Sequence, residues 1–178
     1  MNYFIQSLTY FRIFIAPVIF LQITLFDLYG WALFLFLLAS ISDYWDGFLA
    51  RKFRLESTIG EVLDPIADKM LVTFLIIALS IELSSVFIGM AGGMILVREF
   101  WVSALRDFSA RKGISDATKV TLLAKIKTSI QFLTFSFYLL GLVINNSMIL
   151  FVSDFLLFLA LIVTFKTGLS YTLEAFKK

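Results

Sequence analysis

Long apolar stretches separated by short polar breaks run along almost the whole of this 178-residue chain. Five of them, Leu8–Phe26, Trp31–Ala50, Val86–Ser103, Val120–Ile144 and Met148–Phe165, approach the roughly 20 apolar residues that carry a helix across the hydrocarbon layer. A sixth, Met70–Ile81, is short as a purely apolar run. It reaches spanning length only if it begins near Gly60 and carries Asp64 and Asp68 inside it. The pattern predicts an all-α, polytopic membrane protein with six transmembrane helices, folded as a single integral membrane domain over residues 1–178. No internal repeat, linker or low-complexity segment interrupts it. Pro17 falls within the first run, and Pro65 about one turn into the third, where a missing N–H is tolerated.

Composition narrows the chemistry. The chain is 60% hydrophobic and 16% charged, against about 25% charged in an ordinary soluble domain. It contains neither cysteine nor histidine. Thiolate nucleophiles, disulfides, Cys/His zinc sites and imidazole bases are thereby excluded, which leaves carboxylates, Lys/Arg, hydroxyls and bound metal. A net charge of +2 gives no reason to expect nucleic acid. The placement of the cations is more telling. None lies between Arg12 and Arg51, whereas Arg51, Lys52 and Arg54 follow the second run. Arg106, Arg111, Lys112, Lys119, Lys125 and Lys127 surround the link between the fourth and fifth, and Lys177 and Lys178 close the chain. The connections around Asp27–Gly30, Glu82–Ser85 and Asn145–Ser147 carry none. The positive-inside bias therefore places the basic connections and both termini in the cytoplasm, which in a bacterium makes this a multi-pass inner-membrane protein. The first run has no basic leader and no small-x-small cleavage site, so it is expected to be a retained span.

Ionisable residues inside spans are costly unless paired, and so mark candidate sites. Asp43 and Asp46 lie three apart near the end of the second run; Asp64 and Asp68 lie four apart at the start of the third. Those spacings put each pair on one helix face. With the two helices side by side, four carboxylates would converge, repelling one another unless bridged by cations. An all-oxygen carboxylate set suits Mg²⁺, Mn²⁺ or Ca²⁺ rather than zinc or copper, and two such ions could neutralise phosphate oxygens. Gly47, Ala50 and Gly60, close to the aspartates, leave room for a ligand to approach the backbone. One such pair alone would be read as acids solvated at the membrane edge or paired with Arg51, Lys52, Arg54 or Lys69. Four at helical spacing favour a metal site.

Residues 43–68 read DYWDGFLARKFRLESTIGEVLDPIAD and match D-x-x-D-G-x-x-A-R-x8-G-x-x-x-D-x-x-x-D at all eight fixed positions. That pattern resembles the signature of the CDP-alcohol phosphotransferases, and the resemblance implies their fold and reaction: a second alcohol displaces CMP from a CDP-linked alcohol, forming a phosphodiester. It further implies that Asp43, Asp46 and Asp64, with help from Asp68, hold Mg²⁺ or Mn²⁺ as a pair of ions, and that Asp68 is the general base. Gly47, Ala50, Arg51 and Gly60 would then receive the CDP part of the substrate. The family often places Pro-Asn before a Leu-Thr-x-x-Arg run. Here Ile5 and Gln6 precede Leu8, Thr9, Tyr10, Phe11 and Arg12, so Thr9 and Arg12 match and the asparagine does not.

The runs LDPIADKMLV, VREFWVSALRD and AKIKTSIQ are similar to the phosphatidylglycerophosphate synthases of that family. These use CDP-diacylglycerol and sn-glycerol 3-phosphate. A phosphorylated acceptor needs cationic partners, and Arg98, Arg106, Lys125 and Lys127 are the candidates, the alternative for Arg98 being a purely structural pairing with Glu99 or another acid. Arg98 and Arg106 are eight residues apart, about two turns along one face. Arg111, Lys112, Lys119, Lys177 and Lys178 are expected to be headgroup anchors. Tyr29, Trp31 and Trp45 are expected to anchor at the membrane interface or to pack. Gly89, Gly92 and Gly93 include a G-x-x-x-G spacing suited to close helix packing within a subunit or across a dimer; the resemblance implies a homodimer. The competing enzyme reading is a CDP-alcohol type cardiolipin synthase with phosphatidylglycerol as acceptor. A divalent-cation transporter is the remote reading from another class, disfavoured because its acids would belong near the bilayer centre on broken helices.

Overall fold

A computed structural model describes residues 2–53, 58–112 and 122–176, with the side chains of 2–6, 43–44, 46–53, 58–59, 61 and 122–125 left outside the description. Among the described residues there are six α-helices and no strand: α1 (Asn2–Thr24), α2 (Tyr29–Phe53), α3 (Thr58–Glu82), α4 (Val86–Arg111), α5 (Leu122–Ile144) and α6 (Ser147–Phe176). The third apolar run does extend through its polar lead-in, as its length required. Among the described residues four stretches are long and apolar enough to cross a membrane: Ser7–Thr24, Val86–Arg111, Ile126–Ile144 and Ser147–Phe176. In α2 the apolar part is Tyr29–Ser42 and is shorter. Ser42 is where the continuous description of α2 side chains ends, and α3 carries Asp64, Asp68 and Lys69 in its first half.

The short connections are closed by residues in the left-handed region. Asp27, Ser84 and Asn145 have φ of 53°, 46° and 52°, a conformation that short polar side chains tolerate better than bulky ones. After α3, Ser84 N–H donates to Ile81 O at 3.1 Å and Ser85 N–H to Ser80 O at 3.0 Å. After α5, Asn145 N–H donates to Leu142 O at 3.3 Å and Asn146 N–H to Gly141 O at 3.0 Å. Both are Schellman closures that satisfy the last carbonyls of a helix. Ser85 Oγ and Asn146 Oδ1 then accept from Ile88 N–H and Met148 N–H and start the next helix.

Packing follows a closed order. Among the described residues α1 packs on α2 and α3, α2 on α5, α5 on α6, α6 on α4, and α4 on α3. α1 thus packs against both of the helices that carry the aspartates, while the Asp43–Phe53 side of α2 falls largely outside the described side chains. Ala16, Ile19 and Ile23 of α1 are fully buried, and Ala32, Phe36 and Ala39 of α2 and Leu75 and Leu79 of α3 complete this part of the core. Phe36 stacks on Phe132 at 5.4 Å and 24°, tying α2 to α5, while Phe20 meets Phe74 edge-on at 5.9 Å. Large apolar side chains such as Phe14, Phe151 and Val97 point outward, as expected of a surface that faces lipid.

Two of the three glycines of α4 serve contacts inside the chain. A Cβ at Gly92 would lie 2.3 Å from Ile76 Cγ2, and one at Gly89 would lie 2.9 Å from Ser80 Oγ, whereas one at Gly93 would meet nothing within 4 Å. The useful spacing is thus Gly89–Gly92 against α3. We expect Gly92→Ala to lower stability by about 1–3 kcal/mol through overpacking, measurable as a lowered unfolding temperature in detergent, and Gly93→Ala to be neutral.

Candidate active site

Two polar clusters stand out against this apolar background. The first joins α1 to α3. Asp64 and Asp68, one turn apart, present half-open carboxylates whose side chains are 41% and 52% exposed. Thr9 Oγ1 donates to Asp64 Oδ1 at 2.6 Å. Arg12 donates from one terminal nitrogen to Asp68 Oδ1 at 2.5 Å and from the other to Asp64 Oδ1 at 3.3 Å. Thr9 and Arg12 are themselves buried. In the sequence Arg12 is a motif match without a role. Its signal was available: it is the only Lys or Arg in the first 50 residues and sits inside an apolar run.

Asp43 and Asp46 lie on α2, and so do Gly47, Ala50 and Arg51; apart from the helical backbone, these positions fall outside the described residues. Gly60 lies on α3, one turn before Asp64. Among the described residues no three metal-ligating side chains gather, since half of the expected aspartate set falls outside them. What is described fits a hard divalent cation by its donor chemistry. Asp64 and Asp68 supply carboxylate oxygens at helical spacing, and both hydrogen bonds from Thr9 and Arg12 to Asp64 fall on Oδ1, which places Oδ2 outside them.

The second cluster lies where α4, α5 and α6 meet. Arg98 is buried, donating to Glu99 Oε1 at 3.1 Å and to Thr167 Oγ1 at 2.6 Å. Lys127, also buried, donates to the same Glu99 oxygen. Arg106 donates to Tyr171 Oη at 2.9 Å, and its guanidinium lies 4.9 Å from the Tyr171 ring centroid, with that of Arg98 at 5.9 Å. The ring is a shelf between two guanidinium groups. Gly168 lets α6 approach: a Cβ there would lie 3.0 Å from Arg98 Cγ. The buried Nε atoms of Arg98 and Arg106 have no hydrogen-bond partner among the described residues. Two cations thus share the Glu99 carboxylate and a third lies on Tyr171 beside them, with the Nε of both arginines unpaired among the described residues, a surplus of positive charge that suits an anion.

Arg98, Arg106 and Lys127 are brought together as the sequence suggested. Lys125 lies two residues before Lys127 on α5, with its side chain outside the described residues. The pairing of Arg98 with Glu99 was open to the sequence and is present; Thr167 and Tyr171 were not legible as site residues, because a threonine and a tyrosine near a chain end carry no distinctive spacing. The two clusters are linked. Lys69, next to Asp68, donates to Ser103 Oγ at 2.6 Å, which sets the Asp68 level of α3 against the Arg98–Arg106 stretch of α4. Lys69 accordingly serves the α3–α4 contact.

A family profile described as CDP-alcohol phosphatidyltransferase matches residues 6–166, nearly the whole of this arrangement. The chain belongs to the CDP-alcohol phosphatidyltransferase family. The match begins before Thr9 and Arg12 and runs through Lys127 into α6, so the first cluster and most of the second lie within this phosphatidyltransferase domain. The chain is 44% identical over 138 residues to a protein of Rickettsia bellii (strain RML369-C), covering 77% of this chain and 74% of that one. It is 39% identical over 169 residues to one of Rickettsia felis (strain ATCC VR-1525 / URRWXCal2), covering 92% and 90%. It is 34% identical over 162 residues to one of Wigglesworthia glossinidia brevipalpis, covering 87% and 88%. All three relatives are named CDP-diacylglycerol–glycerol-3-phosphate 3-phosphatidyltransferase.

Proposed function

We propose that this phosphatidyltransferase moves the phosphatidyl group of CDP-diacylglycerol to sn-glycerol 3-phosphate, giving phosphatidylglycerophosphate and CMP. The observation that supports the acceptor is the cationic cluster of α4, α5 and α6. Arg98, Arg106 and Lys127 against Glu99 leave an excess of two positive charges beside unused N–H donors, which suits a phosphomonoester dianion. The names of the relatives point the same way. Lys125 is assigned to the same acceptor site.

Asp43, Asp46, Asp64 and Asp68 would hold one or two ions of Mg²⁺ or Mn²⁺. When bound, such ions offset negative charge on the pyrophosphate oxygens. The chain's own groups do the rest. Gly47, Ala50 and Gly60 give the CDP part room, and Arg51 binds its phosphate or cytidine end. The cationic cluster binds the acceptor phosphate, so that its free hydroxyl is presented rather than collected from solution. Asp68 accepts the proton of that hydroxyl as the oxygen attacks the phosphatidyl phosphorus. One P–O bond forms, the P–O bond to CMP breaks, and CMP departs with the electron pair.

All six helices are assigned to the bilayer, with the aspartate-bearing ends and both termini on the cytoplasmic side of the inner membrane, on the strength of the basic connections. A homodimer is part of the same reading. The deciding assay supplies radiolabelled CDP-diacylglycerol with either glycerol 3-phosphate or phosphatidylglycerol, with and without divalent cation. We expect labelled phosphatidylglycerophosphate and stoichiometric CMP, dependent on the cation. Product with phosphatidylglycerol alone would replace this reading by a cardiolipin synthase, and cation flux without CMP release would replace it by a transporter.

A further inference from the structure

Arg12 is completely buried inside α1, with its side chain 0% exposed. A guanidinium in such a place is costly unless its partners are specific, and among the described residues these include the two α3 carboxylates. Its terminal nitrogens reach Asp68 Oδ1 at 2.5 Å and Asp64 Oδ1 at 3.3 Å, while Thr9, three residues earlier and so on the same face, adds a bond to Asp64 Oδ1 at 2.6 Å. The planar fork of arginine can span two acceptors one helical turn apart; an ammonium is a compact point donor.

We propose that Arg12, assisted by Thr9, is the positioning residue of the α3 carboxylates. It holds one oxygen of Asp64 and one of Asp68 and so sets both side chains in the orientation that meets a divalent cation. The proposal rests on the metal reading above, and its sign separates it from a simple charge effect. A positive group next to two carboxylates opposes a second cation, so as a charge alone Arg12 would weaken metal binding. As an orienting group it strengthens binding, since groups that fix metal ligands in place are typically worth about 10–100-fold in affinity.

The test is Mn²⁺ binding by the purified full chain in detergent, followed by the electron paramagnetic resonance signal of free Mn²⁺, with thermal unfolding to establish that each variant is folded. We expect Arg12→Met to bind Mn²⁺ about 10-fold more weakly or worse, although it removes a positive charge. Arg12→Lys restores charge without the fork and is expected to stay weak. Thr9→Val removes one O–H donor at nearly constant shape and should weaken binding by a smaller factor. It also decides the matter if Arg12→Met does not fold. Unchanged or tighter Mn²⁺ binding by folded Arg12→Met, full recovery by Arg12→Lys, or full affinity in Thr9→Val where Arg12→Met is unfolded would each overturn the proposal. Wild-type protein that takes up no Mn²⁺ would overturn the metal reading itself, an outcome distinct from wild-type binding with unaffected variants.

Discussion

Asp68→Asn is expected to cut turnover by about 10³-fold or more while CDP-diacylglycerol still binds. Removing a positioned general base costs about 10²–10⁴-fold by itself, and the amide is also a poorer partner for a divalent cation. The substitution is close to isosteric. The amide would keep a carbonyl oxygen where Asp68 Oδ1 now accepts from Arg12 at 2.5 Å, so the α1–α3 contact has a way to persist. Single-turnover CMP release, measured beside equilibrium binding of the CDP-lipid, checks both halves of the expectation. Near-normal CMP release would take the base role away from Asp68. Loss of CDP-lipid binding together with activity would make Asp68 chiefly a substrate-site ligand.

The helices and the family were open to sequence reading because each rests on strongly periodic or fixed-position information. Long apolar runs define helices whatever their neighbours, and eight fixed residues between Asp43 and Asp68 carry the family pattern. Even the third helix, apolar only over Met70–Ile81, was recoverable, since a span must have length and the residues from Gly60 supply it. Helix order in space was not. Which helices touch depends on side-chain fit between distant segments, and α1 packing on both α2 and α3 has no counterpart in a linear pattern. The same limit hid the partners of the site. Arg12 meets Asp68 across 56 residues and Arg98 meets Thr167 across 69. Glu99 could be named as a neighbour of Arg98, but not as the acid shared with Lys127, which lies one helix further on.

Arg98 carries the second large expected effect. Arg98→Met should lower kcat/KM for glycerol 3-phosphate by about 100-fold, chiefly through KM, and leave the KM for CDP-diacylglycerol nearly unchanged. The size follows from losing a buried charge-assisted partner of the acceptor phosphate, worth about 1.5–3 kcal/mol. The selectivity follows from geometry: Arg98 bonds to Glu99 and Thr167 and lies by Tyr171, whereas the carboxylates assigned to the CDP-lipid belong to α3 and α2. Removing Arg98 also leaves Lys127 as the cation bonded to Glu99 among the described residues, lowering the local excess from two positive charges to one. Gly168→Ala offers a milder version of the same perturbation, because its Cβ would lie 3.0 Å from Arg98 Cγ and 3.3 Å from Nε. It should raise the glycerol 3-phosphate KM by a smaller factor, in the same direction, without touching any acid of the site. Initial-rate kinetics with both substrates varied would separate the two KM values. Equal rises in both after Arg98→Met would mean that the α4–α5–α6 cluster holds the helices together rather than the acceptor phosphate.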